Sequence, residues 1–261
     1  MYLKSLKLKN FRNLKLLDLE LNPEFNFIFG SNAQGKTNII ESIHYLAMLK
    51  SFRSTCRDDL IKNQSEFTSI AAVFQKQDLS WDIDITLTQA ERKVLLNNKK
   101  PKLREQYFGL IPIILFEPRH IYLFRDSPGK RRQYLNHALF LQDSLVLKHI
   151  SDYEKVITQK NKQLKDYPRE DLIEVWNEKL ASLGAAIMHA RLKWFDQIHL
   201  FLAEEYQAIA HTAEKLKLNY VPGAKLLEHE KSPQELSEED LKAILLAKLS
   251  EKMPEEFARR E

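Results

Sequence analysis

The chain has 261 residues, a formal net charge of +4 and 44% hydrophobic residues, which suits one large or two small globular domains and excludes a disordered chain. A single cysteine excludes an internal disulfide and suits a reducing compartment. Without a secretory leader or an apolar run long enough to span a bilayer, we expect a cytoplasmic protein with no membrane attachment. Residues 1–132 carry 22 Lys and Arg against 14 Asp and Glu, which favours a polyanion such as nucleic acid as partner of the front half.

The first thirty residues carry the patterns of three strands. Tyr2 to Phe11 and the stretch Leu17 to Leu21 alternate apolar with polar residues, which predicts two half-exposed strands. Phe25 to Phe29 is short and strongly apolar, which predicts a buried strand that leads directly into residue 30.

Residues 30–37 match the phosphate-binding P-loop pattern G-x-x-x-x-G-K-[ST], and a helix is predicted to follow them as far as about Met48. Two glycines allow positive φ and a close approach to phosphate, while the lysine would reach the β- and γ-phosphates of ATP. The Thr37 hydroxyl would coordinate Mg²⁺. The predicted nucleotide-binding residues are Gly30, Ser31, Asn32, Ala33, Gln34, Gly35, Lys36 and Thr37.

The middle of the chain predicts a surface loop followed by an antiparallel meander. Ser51 to Asp59 is too rich in Ser and Arg for a core. Alternation over 67–74, 81–87 and 93–96, with a turn at Asn97-Asn98, predicts the meander. Pro112 to Phe116 is fully apolar and is predicted to be a further buried strand.

Ser127-Pro128 opens a helix whose first turn carries three cations, Lys130, Arg131 and Arg132. Cations oppose the helix dipole at this end, so compensation is expected. Either a bound phosphate or Glu117 or Asp126 folding back would provide it.

The remaining pattern is helical. Apolar stripes over 139–164 and 172–209, separated by Tyr167-Pro168, predict a hairpin of two long helices whose aromatic residues are core. A last helix is predicted from Ser237 to Lys252, with Ser237 and Asp240 as a capping box.

In this order, several stretches resemble the RecF family of bacterial recombination mediators, relatives of the SMC and ABC-type ATPases. The resemblance rests on Leu8-Lys9-Asn10-Phe11-Arg12-Asn13, the P-loop continuing to Glu41, Ser51-Phe52-Arg53, Leu115-Phe116-Glu117-Pro118, and Ser127-Pro128 with Arg131-Arg132. It implies an α/β fold in which an ABC/SMC-type ATPase head lobe with an antiparallel β subdomain carries an inserted α-helical lobe. The implied bounds are 1–126 for the ATPase lobe, 127–250 for the helical lobe and 251–261 for the start of a return to the ATPase lobe.

The resemblance also implies a function: an ATP-binding, DNA-binding mediator that forms an ATP-dependent homodimer and works with RecO and RecR type proteins. It would help load recombinase at single-strand gaps, in DNA repair, replication fork maintenance and the SOS response to DNA damage. Contacts between basic side chains and DNA phosphates give binding that is salt-sensitive and independent of DNA sequence. The candidate DNA contacts are Arg53, Arg57, Lys99, Lys100, Lys102, Arg104, Lys130, Arg131 and Arg132.

The family's signature motif, acidic Walker B strand and switch histidine are not found before Glu261. We therefore expect this chain to bind ATP with Mg²⁺ weakly and not to hydrolyse it alone. Two other interpretations stay open: a P-loop small-molecule kinase with Lys130, Arg131 and Arg132 as lid cations, and a non-enzymatic interaction module with a vestigial P-loop.

Overall fold

A computed structural model describes residues 1–102, 107–143, 145–211, 216, 220–221 and 235–260. The chain forms two compact units, Met1–His120 and Ile121–Glu261. No helix within these described ranges is both long and apolar enough to cross a bilayer.

The first unit is built on a five-stranded antiparallel sheet. Its strands are β1 (Tyr2–Phe11), β2 (Leu14–Glu20), β3 (Phe67–Lys76), β4 (Leu79–Thr88) and β5 (Arg92–Leu96), in the order β2-β1-β3-β4-β5. The first two predicted strands at the N-terminus and the predicted meander are therefore confirmed, and they belong to one sheet. The turn after β5 is confirmed as well, because Asn97 and Asn98 both have positive φ, as a type I′ hairpin requires.

One face of the sheet is buried beneath helix α1 (Lys36–Met48). Alternate residues of the strands, such as Leu6, Leu8, Ile70 and Ile85, are fully buried because successive side chains of a strand point to opposite faces. Ile39, Tyr45, Leu46 and Ala47 of α1 join them in the same apolar core.

The carboxyl end of α1 is held by two side chains. Arg92 Nη1 donates to the Leu49 carbonyl at 2.6 Å, where a cation also complements the helix dipole. The Tyr107 hydroxyl donates to the Leu46 carbonyl, and burial raises the pKa of Tyr107 well above its ordinary value. These contacts satisfy carbonyl groups that a helix end leaves without intrahelical partners.

The predicted strands Phe25–Phe29 and Pro112–Phe116 are wrong, since neither segment forms a strand in the structure. Ile28 and Ile113 do pack on the core. The side chains of Phe25, Phe27, Phe29, Ile114 and Phe116, however, are 74 to 83% exposed. A strand needs a ladder partner, and among the described residues none pairs with either segment, so each stays irregular with part of its apolar surface exposed.

The second unit is helical, with α2 (Pro128–Gln142), α3 (Leu145–Asp166), α4 (Glu170–Ala210) and α5 (Glu238–Arg259). The predicted hairpin of α3 and α4 is confirmed, with its break at Tyr167-Pro168. The apolar stripe had not indicated the break between α2 and α3, where the Asp143 side chain accepts a hydrogen bond from the Leu145 backbone N–H at 2.9 Å. The Ser237–Asp240 capping box is confirmed, although α5 continues past Lys252 to Arg259.

Two apolar clusters hold these helices together. Leu135 and Leu139 of α2 meet Val146 of α3, with Trp194 and Phe195 of α4 packed against them. A second cluster, formed by Ala185 and Leu192 of α4 with Leu236, Leu241 and Ile244, attaches α5. A buried ion pair, in which Lys160 Nζ of α3 lies 2.6 Å from Glu256 Oε2 of α5, adds a polar contact between these two helices.

Candidate nucleotide-binding site

The P-loop, residues 30–37, connects the irregular segment ending at Phe29 to the first turn of α1. Gly30, Ala33 and Gly35 have φ values of 143°, 64° and 100°. At Gly35 only glycine fits: a Cβ there would lie 2.7 Å from Leu14 Cδ2 as well as requiring a left-handed backbone. A Cβ at Gly30 would meet nothing within 4 Å among the described residues, so the need for glycine there is conformational alone.

Lys36 folds back over the loop that precedes it. Its Nζ donates to the carbonyl groups of Gly30 at 2.7 Å and Ser31 at 2.8 Å, so one ammonium group ties the beginning of the loop to the beginning of α1. No side chain in the described part of the molecule caps the N-terminus of α1, and its first turn contains no acidic residue. The N–H groups of a helix start, its dipole and the lysine therefore combine into a site of positive potential.

The chemistry of these residues suits the phosphate groups of a nucleoside triphosphate. The donor set consists of backbone N–H groups and one ammonium group, which are the groups that hold phosphate oxygens. Thr37 follows Lys36 in the first turn of α1 and is exposed, and its hydroxyl would provide a ligand to Mg²⁺. The loop also has an open side, since residues 31–34 are exposed.

A buried carboxylate lies behind the P-loop, and the sequence did not single it out as a site residue. Glu41 of α1 is fully buried, and Arg12 binds it with two hydrogen bonds of 2.6 and 3.0 Å. The Ser51 hydroxyl donates to Glu41 at 2.5 Å, and Arg53 Nη1 lies 3.3 Å from it. The apolar neighbours of Glu41 on a helix facing a sheet were the signal that its carboxylate would need cationic partners.

The candidate DNA contacts fall into three places. Arg53 and Arg57 belong to the segment after α1, where Arg53 is bonded to Glu41 and to Asn38, while Arg57 is exposed. Lys99, Lys100 and Lys102 are exposed around and after the β5 turn, whereas Arg104 lies outside the described residues.

The third place is the beginning of α2, in the second unit. Arg132 is exposed, and Arg131 Nη1 donates to the Phe124 carbonyl at 3.1 Å. Lys130 Nζ lies 3.1 Å from Asp126 Oδ1, so the expected compensation by Asp126 folding back is present for one of the three cations. In the first unit, the Oε1 of Glu117 lies 3.4 Å from the Nε2 of His120.

Several known proteins are similar to this chain in sequence and in structure. Residues 2–119 match the model of the RecF/RecN/SMC N terminal domain family. The DNA replication and repair protein RecF of Lactobacillus acidophilus is 30% identical over 256 residues, which cover 96% of this chain and 68% of that protein. The protein of the same name from Clostridium botulinum is 33% identical over 228 residues, covering 86% of this chain and 63% of its own length.

Solved structures of the recombination mediator protein RecF in the RecFOR pathway are also similar. One with ATP has a TM-score of 0.89, and one with ATPrS has a TM-score of 0.88. Both are 27% identical in sequence, and in both cases the match covers all of this chain and 70% of that one. This chain therefore corresponds to about two thirds of its relatives' length.

An antiparallel sheet over a P-loop helix, followed by a lobe of helices, defines an ATPase head of the SMC and RecF type, which confirms the predicted fold class. Within this class, the family follows from the sequence identity to the Lactobacillus acidophilus protein, which is 30% and extends over 96% of this chain. The chain belongs to the RecF family, as its motifs predicted.

Proposed function

We propose that this chain binds ATP with Mg²⁺ at residues 30–37 and serves as the nucleotide-binding part of a DNA-binding recombination mediator. The observation that carries the proposal is the geometry of the P-loop, with an uncapped helix start and Lys36 poised over the loop. The nucleotide named with the similar RecF structures supports the choice of ATP. Family membership leaves the small-molecule kinase without support.

In this proposal each loop residue has a physical role. The backbone N–H groups of residues 31–37 hold phosphate oxygens, for which the positive φ values at Ala33 and Gly35 turn the loop. Lys36 exchanges its bonds to two loop carbonyls for bonds to phosphate. Thr37 provides a hydroxyl ligand to Mg²⁺, which when bound would neutralise part of the phosphate charge.

Titration of labelled ATP and Mg²⁺ into the purified chain tests the proposal. We expect saturable binding that Lys36→Ala weakens by at least about tenfold, because this variant cannot make a charge-assisted bond to phosphate. Lys50→Ala is a matched control: it removes the same charge beyond the other end of α1, on an exposed side chain. Absence of binding in the wild type, or equal binding by Lys36→Ala, would contradict the proposal.

We extend the proposal to DNA and to assembly, both of which rest on family membership and charge. Arg57, Lys99 and Lys100 are the strongest candidates for phosphate contacts because their side chains are exposed in the more basic half of the chain. Lys102 and the α2 cations Lys130, Arg131 and Arg132 are further candidates. We further propose that the protein forms a homodimer when ATP binds and that it works with partners of the RecO and RecR type. We also propose that residues 1–126 form the ATPase lobe and residues 127–250 the helical lobe.

DNA binding is tested by fluorescence anisotropy with a gapped duplex over a range of salt concentrations. A Lys99→Ala, Lys100→Ala double variant should bind more weakly and show a salt slope smaller by roughly one for each lysine that touches a phosphate in the wild type. An unchanged slope would exclude these two lysines from the DNA interface. If the DNA affinity of the wild type did not depend on salt concentration, an electrostatic interface would be excluded as a whole.

A further inference from the structure

A chain of side-chain amides links the P-loop to the segment that follows α1. Arg53 Nη1 donates to Asn38 Oδ1 at 2.7 Å, and Asn38 Nδ2 donates to Asn13 Oδ1 at 2.7 Å. Asn13 Nδ2 then donates to the backbone carbonyl of Ala33 at 2.9 Å. The chain thus joins three separate segments, the turn between β1 and β2, the first turn of α1 and residues 51–57, to one peptide group of the P-loop.

The direction of these bonds is fixed by chemistry. A guanidinium group only donates and a backbone carbonyl only accepts, so the two ends of the chain differ. Asn38 must present its oxygen to Arg53 and its nitrogen to Asn13, and Asn13 must in turn keep its nitrogen for Ala33. The Ala33 carbonyl by itself requires the Asn13 nitrogen, whereas the Arg53 donor fixes the Asn38 amide. Without Arg53, Asn38 can turn away from Asn13 Oδ1, and the Asn13 side chain loses the donor that holds it in place against the loop carbonyl.

The other end of the chain is anchored by the buried carboxylate of Glu41. Its oxygen lies 3.3 Å from Arg53 Nη1, and Arg12 fixes the carboxylate through two further bonds. The Ser51 hydroxyl, which donates to Glu41, also accepts the backbone N–H of Arg53 at 2.9 Å. Both the backbone and the guanidinium of Arg53 are therefore held, although 44% of its side chain is exposed.

The bonded peptide group is the one that most needs support. Ala33 has a φ of 64°, a left-handed conformation that residues with a Cβ rarely adopt and that persists only where neighbouring contacts impose it. Its position in the middle of the P-loop decides where the following N–H groups point. A contact that holds this peptide therefore pre-organises the phosphate site, and pre-organisation is a direct contribution to affinity.

We propose that Arg53, anchored by Glu41 and acting through Asn38 and Asn13, is a positioning residue that holds the P-loop in its phosphate-binding conformation. The proposal rests on the proposed function and adds to it residues outside the loop that set nucleotide affinity. It also separates Arg53 from the DNA contacts with which its charge had grouped it.

A double-mutant cycle on ATP affinity tests the proposal. Arg53→Met removes the donor but keeps the length of the side chain, and Asn13→Ala removes the last link in the turn between β1 and β2. Each should weaken ATP binding by about tenfold, and the double variant should be no weaker than the single variants because both break the same chain. Lys50→Ala removes a positive charge that is near Arg53 in the sequence but takes no part in these hydrogen bonds, and this variant should bind ATP like the wild type.

The alternatives give different results. Effects that multiply to about a hundredfold in the double variant would show that Arg53 acts independently of Asn13, for instance by direct contact with the nucleotide, and would overturn the proposal. Unchanged affinity in either single variant, with unfolding midpoints like that of the wild type, would overturn it as well.

Amide hydrogen exchange of residues 31–37 without nucleotide separates this proposal from the proposed function. If the wild type binds no ATP, the proposed function fails, yet the positioning role still predicts faster exchange in Arg53→Met and Asn13→Ala than in the wild type and Lys50→Ala. Equal exchange in all four proteins would overturn it.

Discussion

The ion pair between Lys160 and Glu256 gives an asymmetric prediction, because its two partners are buried to different extents. The Lys160 side chain is 3% exposed and that of Glu256 is 24% exposed, and the Lys160 Nζ lies 2.8 and 2.6 Å from the two carboxylate oxygens. Removal of the carboxylate leaves an ammonium group sealed between helices. Removal of the ammonium leaves a carboxylate that already reaches water.

The magnitudes follow from this difference. Glu256→Leu should lower the free energy of unfolding by about 3 kcal/mol, the lower part of the range for an unpaired buried charge, because α5 ends at Arg259, close by, and can fray. Lys160→Met should cost about 1 kcal/mol, since it gains apolar packing and gives up a bond that water replaces. The double variant should lie within about 1 kcal/mol of the wild type, because it buries no unpaired charge.

Urea unfolding followed by tryptophan fluorescence measures these values. Two of the three tryptophans, Trp176 and Trp194, lie on α4, so a Trp81→Phe background confines the signal to the helical unit. Lys155→Met is the control, since Lys155 pairs with Asp152 on α3 at 2.8 Å with most of its side chain in water, and no measurable change is expected. Equal costs for Glu256→Leu and Lys160→Met, or a double variant as unstable as Glu256→Leu, would refute the reasoning.

Two further predictions concern local features of the fold. Ser237→Ala should lower the unfolding free energy by about 1 kcal/mol, since the Ser237 side chain accepts the Asp240 backbone N–H at 3.1 Å; an unchanged urea midpoint would mean that the cap adds nothing. Burial and, to a smaller extent, Asp82 raise the pKa of Asp84 above its ordinary value of 3.8, so its ionisation costs folding free energy only as the pH rises above 3.8. Asp84→Asn should therefore raise the urea midpoint at neutral pH and leave it unchanged well below pH 3.8, whereas a rise at both pH values would point to packing instead of charge.

The strands and helices that the sequence predicted correctly are those whose signal is local. The period of two in β1, β3 and β4, and the Asn97-Asn98 turn, depend on side-chain alternation and backbone conformation within a few residues. The P-loop is local in the same sense, because its pattern specifies both the turn and the start of α1.

The segment Phe25–Phe29 had an equally clear local signal and was predicted wrongly. Its composition favours a strand, but a strand exists only where a neighbour provides a hydrogen-bonded ladder. Apolar composition predicts that a segment will lie against something apolar, and Ile28 does so. Whether the segment also becomes a strand is decided by the rest of the sheet, which composition does not contain.

The contacts behind the P-loop were also beyond prediction from sequence, for a different reason. Glu41 binds residues 29 positions before it and 10 and 12 positions after it, and only the folded backbone brings these together. By charge alone, Arg53 was indistinguishable from Arg57, which lies in the same short segment and is exposed. The folded structure separates them because one faces a buried carboxylate and the other faces water.

The lack of strand pairing at Phe25–Phe29 makes the hydrogen bonds from Asn13 and Asn38 more important for the P-loop. The residues leading into the P-loop form no strand and pair with none of the described residues, so strand pairing gives the loop no support on its N-terminal side. The supports that the structure does show are the two bonds from Lys36 to the loop carbonyls and the bond from Asn13 to Ala33. Lys36 uses two of its three donors on those carbonyls and would redirect donors to phosphate when nucleotide binds, whereas the Asn13 bond can persist unchanged. That is the physical reason to expect nucleotide affinity in this chain to depend on Arg53, a residue outside the P-loop motif.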